Sequence, residues 1–527
     1  MADFIIVGGG TAGCVLAARL AEHGFETLLI SSGSNDTSNP LMNQQAEFDR
    51  LQRIPLFKHY LPLKSSPNLN NRTVSLTVWN TLGGSGINSG GMVRMTANYW
   101  NSFVNATGDP TFHYDNMSKY YKKVENFTSI GLSQTSNIHG KNGPIKITQI
   151  HDTIFKDVWK NVANELNEKF SEDFADTIDH GLSFEATSFT DGLRSWSGKD
   201  YLLPTINKYP NLKVMTNTIV TKFNLNKITK QIENVLFVSS DGFFYGVARK
   251  EYILSAGTFF SPHLLMLSGI GDSDILRQHQ LPVKHELKQV GKHLMDNGVI
   301  SMQYKTENLP IYKSKPVGFV NLQSHTTNTN PNMFFILKVN ERTKNVNVFV
   351  LNASPKSIAG SISLHSTNPL VPPEITLNYL ENKEDVQTLI DSIHYVRRVM
   401  ATDALKEFGP IIEISPGLEN MDLEKYIRNT LQPAPHFVGT CSMGRNAQDS
   451  VVNNHFKVHG INNLRIVDAS VFPVGLASKM GPCLTVYALA EKAADLLCNE
   501  YSLKKTKNFN RMTVSSIVSK TKKRRKN

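Results

Sequence analysis

An α/β fold, a parallel sheet and a mostly antiparallel sheet of a second domain, is what three features of this 527-residue sequence predict. They are an apolar–glycine–helical run at the start, a β-rich middle third, and an apolar helical stretch near the end. Residues 3–7 form a short apolar strand, Gly8-Gly9-Gly10-Thr11-Ala12-Gly13 a turn, residues 14–22 a helical pattern and residues 27–30 a second apolar run. That order of strand, turn, helix and strand opens a parallel sheet. Between 317 and 364 the runs 333–339 and 346–351 are rich in β-formers and separated by Asn, Thr and Pro clusters, which reads as a mostly antiparallel sheet of a second domain. From 484 to 497, Leu484, Tyr487, Ala488, Leu489 and Leu496 recur at helical spacing.

Size and composition support two folded domains. The chain is too long for a single growing core, and its 40% apolar, 19% charged composition is that of an ordinary globular protein. Four cysteines, Cys14, Cys441, Cys483 and Cys498, show no C-x-x-C and no metal-type pairing with histidine, so neither a zinc site nor a disulfide framework is indicated and the thiols read as buried hydrophobes. The net charge of +11 is a local property. From Lys504 onward there are ten basic residues and no acid, whereas residues 1–503 carry 46 bases against 45 acids. Residues 501–527 therefore read as a basic disordered tail. The start of the chain lacks a secretory pattern, and no apolar run is long enough to span a bilayer, so a cytoplasmic or other non-secretory location is expected.

Gly8-x-Gly10-x-x-Gly13 follows a strand and opens a helix, the context in which this spacing binds a dinucleotide. Gly8 serves the tight turn, Gly10 lets the backbone approach a pyrophosphate, and Gly13 allows close packing, with the anion on the helix N-terminus.

Further blocks make the reading specific. In order they are Leu82-Gly-Gly-Ser-Gly-Ile-Asn88-Ser-Gly-Gly-Met92, then Asn211 to Asn217 leading to Val220, then Glu251-Tyr-Ile-Leu-Ser-Ala-Gly257 with Ser261-Pro-His-Leu-Leu-Met-Leu-Ser-Gly-Ile-Gly271. His436-Phe-Val-Gly-Thr-Cys-Ser-Met-Gly444 and Leu464-Arg-Ile-Val-Asp-Ala-Ser-Val-Phe-Pro473 close the series. Over residues 3–500 the chain resembles the glucose-methanol-choline family of FAD-dependent oxidoreductases. The resemblance implies a Rossmann-type FAD domain assembled from segments 1–150, 196–310 and 431–500, and an α+β substrate domain drawn from 151–195 and 311–430. It implies that Gly8, Gly10, Thr11, Ala12, Gly13, Ser31, Gly83, Gly84, Asn88, Val220, Asp468 and Ala469 contact FAD. It also implies that His436 takes the hydroxyl proton of a small alcohol whose carbon yields hydride to flavin N5.

Two positions depart from the family. The second strand ends Ile30-Ser31-Ser32-Gly33 where relatives have Glu-Ala-Gly, so a neutral side chain replaces a charged, bidentate ribose acceptor. Gly481 stands where relatives carry the His or Asn partner of the catalytic histidine, and Lys479 is the nearest substitute. The glycine block around Gly83 is also one residue shorter than the usual spacing. Two functions follow as alternatives: an FAD-dependent alcohol oxidoreductase with a degraded active site, or a catalytically inactive homologue with a structural or interaction role. In the second, the tail from 504 to 527 touches nucleic acid or another anionic surface without sequence preference, and the basic run 522–526 also fits a nuclear-import signal. His263, His455 and His459 receive structural roles on this reading.

Overall fold

The computed structural model describes the chain except residues 89, 132–136, 151–152, 177–178, 310–314, 323–330, 341–342, 418–421, 479–480 and 503–527. Lys479 and the tail from residue 503 onward thus lie outside the described residues, whereas residues 501 and 502, expected in the disordered tail, end the last helix, where Tyr501 donates to Glu251.

A five-stranded parallel sheet forms the first layer, in the spatial order Leu212–Met215, Thr27–Ile30, Ala2–Val7, Ala248–Leu254 and Leu464–Ile466. Its strands are far apart in sequence, as a domain built from separated segments requires. Both faces are covered, so the strands carry near-continuous apolar runs; Phe4, Ile5 and Ile6 are at most 1% exposed. The helix Thr11–Glu22 packs on one face with nine of its twelve residues buried. Residues 483–502 are helical and lie beside it. Buried Glu491 of that last helix receives Arg19 through a bidentate contact at 2.8–3.1 Å, Lys123 at 2.8 Å and the Tyr201 hydroxyl at 2.9 Å. A carboxylate at 0% exposure is tolerable only with its lone pairs so filled. A second buried pair, Arg465 with Glu251, joins the last two strands through bonds of 2.6 and 2.9 Å.

The second domain is an antiparallel sheet in the order Ile412–Ser415, Gly298–Lys305, Asn345–Asn352, Met333–Val339, Pro316–Val320 and Gly181–Phe184. The runs expected at 333–339 and 346–351 are neighbouring strands, paired Phe334 to Leu351 and Ile336 to Phe349. Residues 298–305, placed by the sequence reading in segment 196–310, instead form an inner strand of this sheet, because their alternating Ile300, Met302 and Tyr304 are buried against it. Strand alternation gives the sheet two different faces. Phe335 points to the helix Lys383–Met400, its ring 6.0 Å from that of Tyr395, whereas Phe334, Ile336 and Leu351 point the other way, into a cavity shared with the first domain. All four cysteines are buried and free, and no metal-type cluster occurs among the described residues.

Candidate active site

The shared cavity, about 680 Å³, runs from the first glycine turn to His436. At the first end the wall is backbone. Gly8 holds φ +106°, and a Cβ there would lie 2.3 Å from the Ser255 carbonyl oxygen, so only glycine fits. Gly10 sits at the N-cap of helix Thr11–Glu22 with no side chain over it, leaving the first-turn N–H groups of Thr11 and Ala12 facing the cavity. The second glycine block folds as a 3₁₀ turn, Gly84–Asn88, against the first. A Cβ on Gly84 would come within 2.9 Å of Gly10 Cα. Two glycine turns in such contact make an anion cradle of N–H groups at the positive end of a helix.

Twelve of the residues expected in the site line this cavity: Gly8, Gly10, Thr11, Ala12, Ser31, Gly84, Asn88, Val220, His436, Asp468, Ala469 and Gly481. Two others stand behind its wall. Gly13 packs on Gly8, where a Cβ would meet the carbonyl oxygen at 1.9 Å, and Gly83 donates its N–H to Gly9 O at 2.7 Å while abutting Trp196. Gly83 therefore supports the turn and does not face a ligand. The Asp468 carboxylate is also fully committed to the protein, its oxygens accepting from Gly257 N, Ser261 Oγ, Ser470 N and Ser470 Oγ at 2.5–2.9 Å. It caps the 3₁₀ turn Ala469–Val471 and ties it to the helix Gly257–Leu267. Asn88 turns its amide oxygen to Gln52 at 2.8 Å. The Ser31 hydroxyl accepts from Gly33 N at 3.2 Å, and its main chain bonds Met215 and Thr218, which carries the wall on to Val220.

His263 corrects the sequence reading. It is 3% exposed and lines the cavity one helical turn beyond Phe260, and its Nε2 is buried with no hydrogen-bond partner among the described residues. Burial holds its imidazole down at about 4, so it is neutral and able to donate or accept a single bond to a ligand. Nothing in an apolar helix pattern distinguishes a histidine that faces a cavity from one that faces the core.

At the other end the wall is made of side chains. His436 follows a bend whose backbone is held by Asp296, which accepts the N–H groups of Ala434 at 3.1 Å and His436 at 2.5 Å and the Tyr379 hydroxyl at 2.5 Å. Burial pushes Asp296 up to about 7, against the pull of these donors. The His436 ring places Nδ1 3.3 Å from Asn297 Oδ1. Its Nε2 lies on the opposite edge, and a Cβ on Gly481 would stand 3.3 Å from it. The position expected to lack a polar partner is therefore beside the reactive nitrogen. Burial holds His436 at about 4, leaving its imidazole uncharged at neutral pH. Phe334, Ile336, Leu351 and Phe437 supply apolar wall, and Glu185, paired with Lys315 at 2.8 Å, contributes one carboxylate. Asp296 and Asn297 carry no motif of their own. Their signal in the sequence is only an acidic-amide pair directly before an alternating strand.

The arrangement offers an anion cradle, a long cavity and, at its far end, the neutral imidazole of His436 beside apolar wall. Residues 2–325 and 355–490 match the two family profiles described as GMC oxidoreductase. The chain is 28% identical to an alcohol dehydrogenase [acceptor] of Pseudomonas putida, covering 95% of this chain and 97% of that one. It is also 28% identical to an oxygen-dependent choline dehydrogenase of Cronobacter sakazakii, covering 94% of each. Among solved structures, pyridoxine 4-oxidase from Mesorbium loti superposes with a TM-score of 0.85 at 23% identity, over 94% of this chain and 99% of that one, a likeness of fold.

Proposed function

The chain belongs to the GMC oxidoreductases, and on that premise we propose that it is an FAD-dependent enzyme oxidising the CH–OH group of an alcohol, with His436 as general base. The observation that carries the proposal is one cavity with a glycine cradle at one end and an unprotonated His436 at the other. The residues fit the cofactor. A Cβ at Gly8 or Gly84 would strike the Ser255 carbonyl or Gly10 and break the packing that forms the cradle, and the Nε2 of His263 is a buried polar atom on the cavity wall with no hydrogen-bond partner among the described residues. Thr11, Ala12 and Gly84 would hold the pyrophosphate, and Ser31, Val220 and His263 the remainder of the dinucleotide. When bound, FAD supplies a two-electron acceptor for the hydride of the alcohol carbon. His436 Nε2 receives the hydroxyl proton, so the carbonyl product forms as hydride and proton leave to different acceptors.

Ser31 supports binding more weakly than a carboxylate. A charge-assisted bond of about 1.5–3 kcal/mol gives way to a neutral one of about 1 kcal/mol, or roughly 3- to 30-fold in affinity. Gly481 favours a second reading, a homologue that binds flavin and turns over no alcohol. The absorbance spectrum of protein purified without added flavin, followed by an anaerobic panel of alcohols, separates the two. Flavin bleached by an alcohol establishes the enzyme, flavin that no alcohol bleaches favours the inactive homologue, and colourless protein that refuses FAD overturns both. The basic residues from 504 onward are proposed to contact polyanions without sequence preference, which predicts binding that weakens steeply with salt. No helix among the described residues is long and apolar enough to cross a membrane.

A further inference from the structure

With no side chain at Gly481, the His436 ring has a single side-chain hydrogen-bond partner among the described residues, Asn297, on the edge away from the cavity. Asn297 is fully buried, and its amide cannot turn. Its Nδ2 donates to the Asn352 carbonyl oxygen at 2.7 Å, a group that can only accept, so Oδ1 is the atom presented to His436. The support continues outward. Asn352 Nδ2 donates to Asp385 Oδ1 at 2.9 Å, and Asp385 in turn accepts from Lys356 N, Ser357 N and Ser357 Oγ at 2.5–2.9 Å. The amide is thus anchored to the N-terminal turn of helix Lys383–Met400, on the far side of the antiparallel sheet from the cavity.

An amide oxygen offered to Nδ1 accepts a proton there and repels a lone pair. We propose that Asn297 is a positioning residue that keeps His436 in its Nδ1–H form, so that Nε2 beside Gly481 is the open proton acceptor. The inference rests on the reading of His436 as base, and it explains how one histidine works without its usual neighbour. The tautomer is set from behind by a locked amide, and the missing group at 481 bears on alkoxide stabilisation, leaving the direction of proton transfer intact. Of the titratable groups around the ring, Asp296 reaches the His436 backbone and Tyr379 reaches Asp296, so neither bonds the imidazole.

The test uses full-length protein carrying 15N-labelled histidine, with the His436 signal identified by its loss in His436→Gln. At pH 7 the wild type is expected to show a protonated Nδ1. Asn297→Leu is expected to populate the Nε2–H form and to slow flavin bleaching by alcohol by about 10²-fold, the lower range of what a positioned base contributes. Asn297→Asp, which keeps the acceptor and nearly the same volume, is expected to retain Nδ1–H. A wild type in the Nε2–H form, or an Asn297→Leu variant that keeps the Nδ1–H form, overturns the proposal. The tautomer is read without substrate, so failure of every alcohol to bleach the flavin would count against the oxidoreductase reading alone.

Discussion

The two ends of the cavity are built from different materials. The end at Gly8, Gly10 and Gly84 is backbone, fixed by conformations and contacts that a side chain would destroy. The end at His436 depends on side chains, and there Gly481, beside the ring, offers none. Backbone-built recognition therefore survives drift in side chains, whereas side-chain chemistry depends on each residue separately.

This contrast can be broken or sharpened in order of effect. Gly8→Ala places a methyl group 2.3 Å from a carbonyl oxygen at a φ that disfavours it, and should leave protein that retains no flavin, read from its absorbance. His436→Ala should keep the flavin and lower its rate of reduction by roughly 10²- to 10⁴-fold in stopped flow. Gly481→Asn restores a polar group beside Nε2, and asparagine tolerates the positive φ of +84° better than other residues. It should raise the reduction rate by about 10- to 10²-fold, and no gain would show that this position is not limiting. Ser31→Glu should tighten FAD about 3- to 30-fold in a fluorescence titration.

The smallest effect is that of pH. His436 and His263, both depressed to about 4 by burial, bind protons less readily folded than unfolded. Their contribution destabilises the fold progressively as pH falls from the ordinary histidine value of about 6.5 toward 4, and is flat above 7. Thermal denaturation of the wild type and of His263→Leu across this range should show the variant losing less stability on acidification.

What could be read from the sequence was whatever leaves a local period or a fixed spacing. The glycine turn with its flanking strand and helix, the strands at 333–339 and 346–351 and the helix from 484 all have such signatures. The position of Gly481 beside His436 followed from aligned blocks, and the structure brings the two together. Asn297, His263 and the Arg19–Glu491 contact had no such trace. Each depends on partners brought together across tens to hundreds of residues, or on which face of a helix a cavity meets. Asp468 shows the converse, a residue whose place in a motif was legible while its carboxylate is spent on capping rather than on a ligand.

The Arg19–Glu491 contact has a consequence for the order of biosynthesis. It spans 472 positions, and the outermost strand of the parallel sheet, Leu464–Ile466, is the last strand to be made. On the ribosome the glycine turn emerges first, and the wall that faces it, with His436 and Gly481, follows only after more than four hundred further residues have been added. A nascent chain therefore holds the cradle long before it holds the chamber, and closing so long a loop falls to the end of folding. Cofactor capture is on this account a late step that seals a nearly finished molecule, and the vacant chain must pass through synthesis without it.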